Sequence, residues 1–167
     1  MKVLIVSDSH GLTGELLQIK RRHKHEVDAF IHCGDSELPK GADPIEDMLI
    51  VRGNCDFEAK FPNEIIQSIG SYRFFITHGH LYSVKSNLMR LKYRAEEQQA
   101  KIVCFGHSHI AGAEVIDGIL FINPGSIFLP RMRKEKTYVI LELTNGQAIV
   151  EFYDLNGEIV SNLSTML

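Results

Sequence analysis

Lys2-Val3-Leu4-Ile5-Val6-Ser7-Asp8-Ser9-His10-Gly11 is the stretch on which the rest of the chain turns. Its apolar part, rich in β-branched residues, has the length of a buried strand rather than a helix. The break that follows leaves Asp8 and His10 two positions apart at the strand's C-terminal end. Open α/β sheets gather their ligand sites at such ends. One carboxylate oxygen and one imidazole nitrogen suit a borderline divalent cation. A turn of Asp, Ser and Gly also forms with no function at all. The motif gains weight only because later strands end in the same way.

Working outward, Thr13 is placed to cap a helix that buries Leu12, Leu16 and Ile19 and runs to about residue 24. Lys20, Arg21, Arg22 and Lys24, with His23, His25 and Glu26 among them, read as its solvated end. Strands are expected at 27–33, stopped by Gly34-Asp35, and at 48–51, stopped by Arg52-Gly53-Asn54-Cys55-Asp56. Residues 63–69 and 72–77 flank a Gly70-Ser71 turn, and the second arm runs into His78-Gly79-His80. Leu88, Leu91 and Ala95 give an amphipathic helix over about 85–98. A strand at 102–105 ends in Gly106-His107-Ser108-His109. Asp117-Gly118 and Asn145-Gly146 each mark a two-residue hairpin, the latter between strands 137–143 and 148–153.

Length and composition limit the options. With 167 residues, 44% hydrophobic and 23% charged, the chain is expected to form one soluble domain over 1–167. A net charge of -3 leaves no basic excess to cover a phosphate backbone, so no stable nucleic-acid partner is expected. No run of about 18 apolar residues occurs, which argues against a membrane span. The chain enters strand and motif at once, leaving no room for a signal peptide. Cys33, Cys55 and Cys104 lack CxxC spacing and read as reduced thiols in a cytoplasmic protein. Apolar strand edges in the second half could pair with a second copy.

Five apolar runs stop at Gly-flanked polar clusters: Asp8/His10, Asp35, Asn54/Asp56, His78/His80 and His107/His109. The neighbouring glycines are expected to let the backbone turn sharply. Unpaired polar groups at a buried sheet end cost about 1–3 kcal/mol each, so stability alone does not explain five such clusters. Two divalent cations would satisfy nearly all of them. Their charge, set against Asp8, Asp35 and a bridging hydroxide, leaves about +1, a centre suited to phosphate oxygens. No Ser or Cys nucleophile has a suitably spaced base, and no Walker A sequence is present.

Taken in order, these motifs resemble those of the calcineurin-like metallophosphoesterases, with Asn123-Pro124-Gly125-Ser126 similar to a further element of the small members. The short chain and Gly-Asn-Cys-Asp resemble the YfcE-type phosphodiesterase branch. The resemblance implies an α/β four-layer sandwich, two mixed β-sheets flanked by helices. It implies one metal on Asp8, His10 and His109, another on Asn54, His78 and His107, and Asp35 bridging. Asn54, Asp35 and His78 would be the catalytic group, with Asn54 also touching phosphate. Mn is the expected metal, with Fe, Zn or Ni as other borderline choices. The substrate would be a small or nucleotide-like phosphodiester, attacked in line by hydroxide held between the metals.

The family's usual Gly-Asn-His-Asp/Glu has a histidine over the leaving-group oxygen; here that place is Cys55. A thiol is a weak acid and hydrogen-bond donor, so acidic leaving groups are expected to be favoured. A phosphomonoesterase and a non-catalytic scaffold like the retromer subunit of this fold are the rival readings. A decayed scaffold should have lost ligands, and this chain keeps them all. His80 and Arg131 are candidate substrate contacts, and Arg131, Arg133, Lys134 and Lys136 could form a basic rim. Asp56 is expected to orient a ligand or cap a turn, and His32 to be a satisfied core histidine. Arg52 could point away from the metals, and His23 and His25 are expected at the surface.

Overall fold

The computed structural model describes residues 1–167 and contains two mixed β-sheets with a helix on each outer face. β1 (Lys2–Val6), β2 (Ala29–His32) and β3 (Met48–Ile50) run parallel. β9 (Thr137–Thr144), β10 (Gln147–Asp154) and β11 (Ile159–Met166) continue that sheet antiparallel beyond β1. The second sheet has the order β4 (Glu64–Ile69), β5 (Tyr72–Thr77), β6 (Ile102–Cys104), β8 (Ile119–Asn123), β7 (Gly112–Ile116). Its centre, β5-β6-β8, is parallel.

Strand periodicity sorts the core into three layers. Val3 and Ile5 point from β1 into the space between the sheets, where they join Phe74, Ile76, Ile102, Leu120 and Val139. Leu4 and Val6 point the other way, against Leu16 and Ile19 of α1 (Thr13–His23). On the second sheet Phe75, Val103 and Phe121 face Leu91 and Ala95 of α2 (Met89–Glu97). Every residue of Val3–Val6 is 0% exposed, which is why β1 reads as an unbroken apolar run.

Several local expectations need correction. Thr13 is the first helical residue rather than the cap; Leu12 occupies that position, without a side-chain cap bond. α2 begins at Met89, because a short 3-10 turn over His80–Tyr82 and a left-handed Ser83 fill the preceding segment. β11 is a strand the sequence did not announce: its exposed edge position lets Ser161, Asn162 and Ser164 replace a clear apolar alternation. His23 is buried, not at the surface. Its Nε2 pairs with Tyr138 OH at 2.8 Å, and Arg22 donates to the same hydroxyl at 3.1 Å. The basic end of α1 is therefore partly tied down on β9.

His32 behaves as a core histidine. Gly34 N donates to its Nδ1 at 3.2 Å, and its Nε2 pairs with Ser9 Oγ at 2.9 Å. Burial pushes its pKa down to about 4, so the ring is neutral. No helix is long and apolar enough to cross a membrane.

Candidate metal centre

All five polar clusters come to one end of the two sheets. Asp8 and His10 follow β1, Asp35 follows β2 and Asn54 follows β3; His78 follows β5, while His107 and His109 follow β6. Ligand atoms of Asp8, His10 and His109 lie within 4.8 Å of one another, as do those of Asp8, Asp35 and His78. His78 Nε2 is 3.2 Å from Asn54 Oδ1 and 3.3 Å from Asp35 Oδ2. The His107 ring lies 5.1 Å from that of His78, centroid to centroid. The first sheet thus contributes the oxygen donors and His10, and the second contributes three imidazoles.

The chemistry of these donors fits cations. His78 Nδ1 bonds the Cys33 carbonyl at 2.7 Å and His109 Nδ1 bonds the Leu129 carbonyl at 2.7 Å, so each donates there and turns Nε2 inward. His10 Nδ1 meets Glu37 Oε1 at 2.6 Å. A carbonyl or carboxylate behind the ring is the usual support of a metal-binding imidazole. In its neutral form, with the proton on Nδ1, each ring turns an Nε2 lone pair toward atoms that are themselves acceptors. Asp8 Oδ1, 3.1 Å from His109 Nε2, and His10 Nε2 are buried without hydrogen-bond partners. Polar atoms in that state are costly unless something positive sits among them.

Protonation shows the same demand for positive charge. Burial alone would lower the His78 pKa, but Asp35 and Asp8 beside it raise it above the ordinary histidine value. Burial would likewise raise Asp8 and Asp35, yet the neighbouring histidines hold both below the usual carboxylate range. His107 is pushed down to about 4, first by burial and then by the charges of His78 and Lys85.

The backbone is strained where the donors sit. Asp8, His10, Asp35, His107 and His109 all have left-handed φ, between 43° and 66°. Non-glycine residues in that region cost about 1–3 kcal/mol each and collect at functional sites. Two adjacent glycines serve space rather than φ, contrary to the expectation of a sharp turn. A Cβ at Gly53 would stand 2.0 Å from Asp35 Oδ1, and one at Gly106 would stand 2.0 Å from Ser7 Oγ and 2.6 Å from Asp8 Oδ2.

Supporting residues complete the cradle. Asp56 accepts from the backbone N–H of Asp35 at 2.8 Å, of Gly53 at 2.7 Å and of Glu37 at 2.7 Å, and from Ser36 Oγ at 3.1 Å. It organises the loop that presents Asp35, as expected of an orienting residue. Ser126 Oγ donates to the Asp8 carbonyl at 2.8 Å, which gives the Asn123-Pro124-Gly125-Ser126 element a structural role. Arg52 folds back to the Asp56 carbonyl at 3.5 Å. His80 lies with its ring 5.4 Å from His78 and its Nδ1 unpartnered. Arg131 N donates to the His109 carbonyl at 3.0 Å while its side chain stays exposed.

Glu37 and Phe128 were missed. Phe128 packs on His10 with ring centroids 5.5 Å apart. Both lie in loops whose residue types carry no signal, and only the folded geometry reveals them. Cys55 lies beside the donors: its Sγ joins ligand atoms of His10 and Asp35 within 4.8 Å. Burial and the charge of Asp35 push its pKa up to about 11, so the thiol stays protonated.

Comparison with known proteins agrees with this geometry. Residues 1–146 match the calcineurin-like phosphoesterase superfamily domain. The chain is 52% identical to the probable metallophosphoesterase YsnB of Bacillus subtilis, over 98% of this chain and 96% of that protein. It is 28% identical to the phosphodiesterase YfcE of Escherichia coli K12, over 85% of this chain and 88% of the relative. A crystal structure of a predicted phosphoesterase from Streptococcus pneumoniae superposes with a TM-score of 0.95 at 34% identity, covering 99% of this chain and 97% of that one.

Proposed function

Since the chain belongs to the calcineurin-like phosphoesterase superfamily, we propose that it is a phosphodiesterase working with two divalent metal ions. Asp8, His10 and His109 would hold one ion and Asn54, His78 and His107 the other, with Asp35 between them. Nitrogen and oxygen donors without sulfur suit Mn best, with Fe, Zn or Ni as other choices. When bound, such ions neutralise phosphoryl oxygens and acidify water held between them. The observation that carries this reading is the convergence of back-bonded imidazoles on the buried, unpartnered Asp8 Oδ1.

The chain's own groups do the rest. The Asn54 amide, unlike a carboxylate, can donate to a phosphoryl oxygen while its carbonyl faces His78. His80, beside His78 with its Nδ1 unpartnered, and Arg131, whose N–H bonds the His109 carbonyl, would contact the substrate anion. Water attacks phosphorus in line, the bond to the leaving oxygen breaks, and that oxygen must gain a proton. Cys55, with its pKa pushed up to about 11, is a poor source of that proton. The reaction therefore favours esters whose leaving oxygen tolerates negative charge. The complete donor set weighs against a scaffold role.

The test compares bis(p-nitrophenyl) phosphate with p-nitrophenyl phosphate, using protein stripped by chelator and reloaded with Mn²⁺. Faster cleavage of the diester, lost on chelation, is the expected result. Equal or faster cleavage of the monoester would favour a phosphatase. No cleavage of either by fully loaded protein would leave only a binding role.

A further inference from the structure

Among the large apolar side chains, Phe57 and Met132 are the most exposed, at 91% and 89%; the next, Met166, reaches 67%. Both stand in loops that leave the metal centre. Phe57 lies two residues beyond Cys55, whose Sγ is within 4.8 Å of a His10 ligand atom. In the other loop the exposed Phe128 puts its ring 5.5 Å from that of His10. The exposed Leu129 gives its carbonyl to His109 Nδ1 at 2.7 Å, and Arg131 N donates to the His109 carbonyl at 3.0 Å. Ser126 Oγ accepts from Phe128 N at 3.0 Å and from Leu129 N at 2.9 Å, which fixes the base of this loop. Apolar tips are therefore held on both loops beside His10 and His109.

The second loop is also basic. Between 128 and 136, Arg131, Arg133, Lys134 and Lys136 stand against Glu135 alone, a net of +3 in a chain whose total is -3. Only Arg133 is ion-paired, to Glu135 at 4.0 Å, and its Nη1 is buried without a hydrogen bond. The carboxylates nearest Phe57 are engaged. Glu37 meets His10 Nδ1, and Glu58 accepts from the backbone N–H of Lys40 and of Lys60.

We propose that this face docks on an anionic lipid surface. Phe57 and Met132 enter the boundary between headgroups and acyl chains, and the cations of 131–136 meet lipid phosphates. Exposed apolar groups that cluster near a site mark a partner. A protein partner calls for a continuous apolar patch with lysine kept from its centre. Here the tips stand on separate loops, and Met132 sits between Arg131 and Arg133 with Lys134 next in line. Its left-handed φ of 61° holds an apolar side chain in a conformation that costs energy in water. In a bilayer, phosphate and hydrocarbon lie in successive layers, so interleaved cations and apolar tips are satisfied together. Long basic side chains keep their heads among the phosphates while their stems follow the tips. Such surface contact needs no spanning segment. It sets His10 and His109 against the headgroup layer, which is rich in phosphodiesters. Docking involves no turnover and so stands apart from the phosphodiesterase reading.

Sedimentation of the full Mn²⁺-loaded chain with sucrose-filled vesicles tests this. On equal parts phosphatidylglycerol and phosphatidylcholine, half the chain should sediment below about 1 mM lipid. Pure phosphatidylcholine should bind about tenfold more weakly. Phe57→Ser with Met132→Ser, and separately Lys134→Ala with Lys136→Ala, should each weaken binding by about tenfold, with folding checked by circular dichroism. The chain has no tryptophan, so Met132→Trp is a sole reporter whose emission should move to the blue on anionic vesicles.

No sedimentation with the anionic vesicles, equal binding to phosphatidylcholine, or binding that survives either pair of substitutions would overturn the proposal. So would Met132→Trp emission that does not move when the chain is bound. A dimer in light scattering that Phe57→Ser with Met132→Ser dissolves, without vesicle binding, would overturn it in favour of a second copy.

Discussion

The backbone N–H of Cys55 donates to Asp35 Oδ1 at 2.7 Å, tying residue 55 to a carboxylate that lies beside Asp8 and His78. Burial and then the charge of Asp35 push the thiol pKa up to about 11, so the group stays neutral. Position 55 stands among the donors, but its thiol lacks the chemistry of a general acid.

Replacing the thiol by an imidazole supplies that chemistry. A positioned general acid contributes about 10²–10⁴-fold. Cys55→His is expected to raise kcat on an alkyl phosphodiester by about 10²-fold and to change p-nitrophenyl ester hydrolysis much less. Steady-state rates on the two substrates check this; equal effects on both would remove the missing-acid account.

Asp56 gathers three backbone N–H groups and one hydroxyl. Asp56→Ala strands these buried donors, at about 1–3 kcal/mol for each that finds no water. A fall in Tm of roughly 10 °C is expected by calorimetry for a chain of this size. Mn²⁺ affinity, measured by titration, should fall by about 10–100-fold, because the loop holding Asp35 loses its anchor.

Space at Gly106 is as exacting as any contact. Gly106→Ala should cost at least one bound metal ion per chain by elemental analysis, since its Cβ would meet Asp8 Oδ2 at 2.6 Å. Gly14, inside α1, gives the contrast: a methyl added there would meet nothing within 4 Å. Gly14→Ala should stabilise the fold by about 0.5–1 kcal/mol, read from urea melts.

His32 should impose a pH dependence on stability. Its folded pKa, about 4, lies below the ordinary 6.5, so the unfolded chain binds the extra proton between those values. Stability from this group is full above about pH 6.5 and declines as pH falls toward 4. In chelator, the stability of the parent protein relative to His32→Gln should shrink by roughly 3 kcal/mol across that window. Urea melts at stepped pH values measure the difference.

Much of this molecule could be read from residue types alone. β1, β5 and β6 are buried on both faces, so their apolar runs and abrupt polar ends mark strands and donors together. Asp8, Asp35, His78 and His109 announced themselves because a glycine stands beside or close to each. β11 stayed hidden because an edge strand needs few apolar residues once β10 supplies its hydrogen bonds. His23 was misjudged because its basic neighbours suggest solvent, while its partner Tyr138 lies 115 positions away. Phe57 and Met132 sit in separate loops that no local pattern links.

The donors come from both sheets, and this has a mechanical consequence. Apolar packing holds the layers together over most of their area, but at the strand ends Asp8, Asp35 and Asn54 face His78, His107 and His109 across the seam. Ions seated there would rivet the two halves of the sandwich. Withdrawing them would leave only the carboxylate–histidine contacts of Asp35 with His78 and of Asp8 with His109 to span the lip, so the loops that do the chemistry would be the first to part.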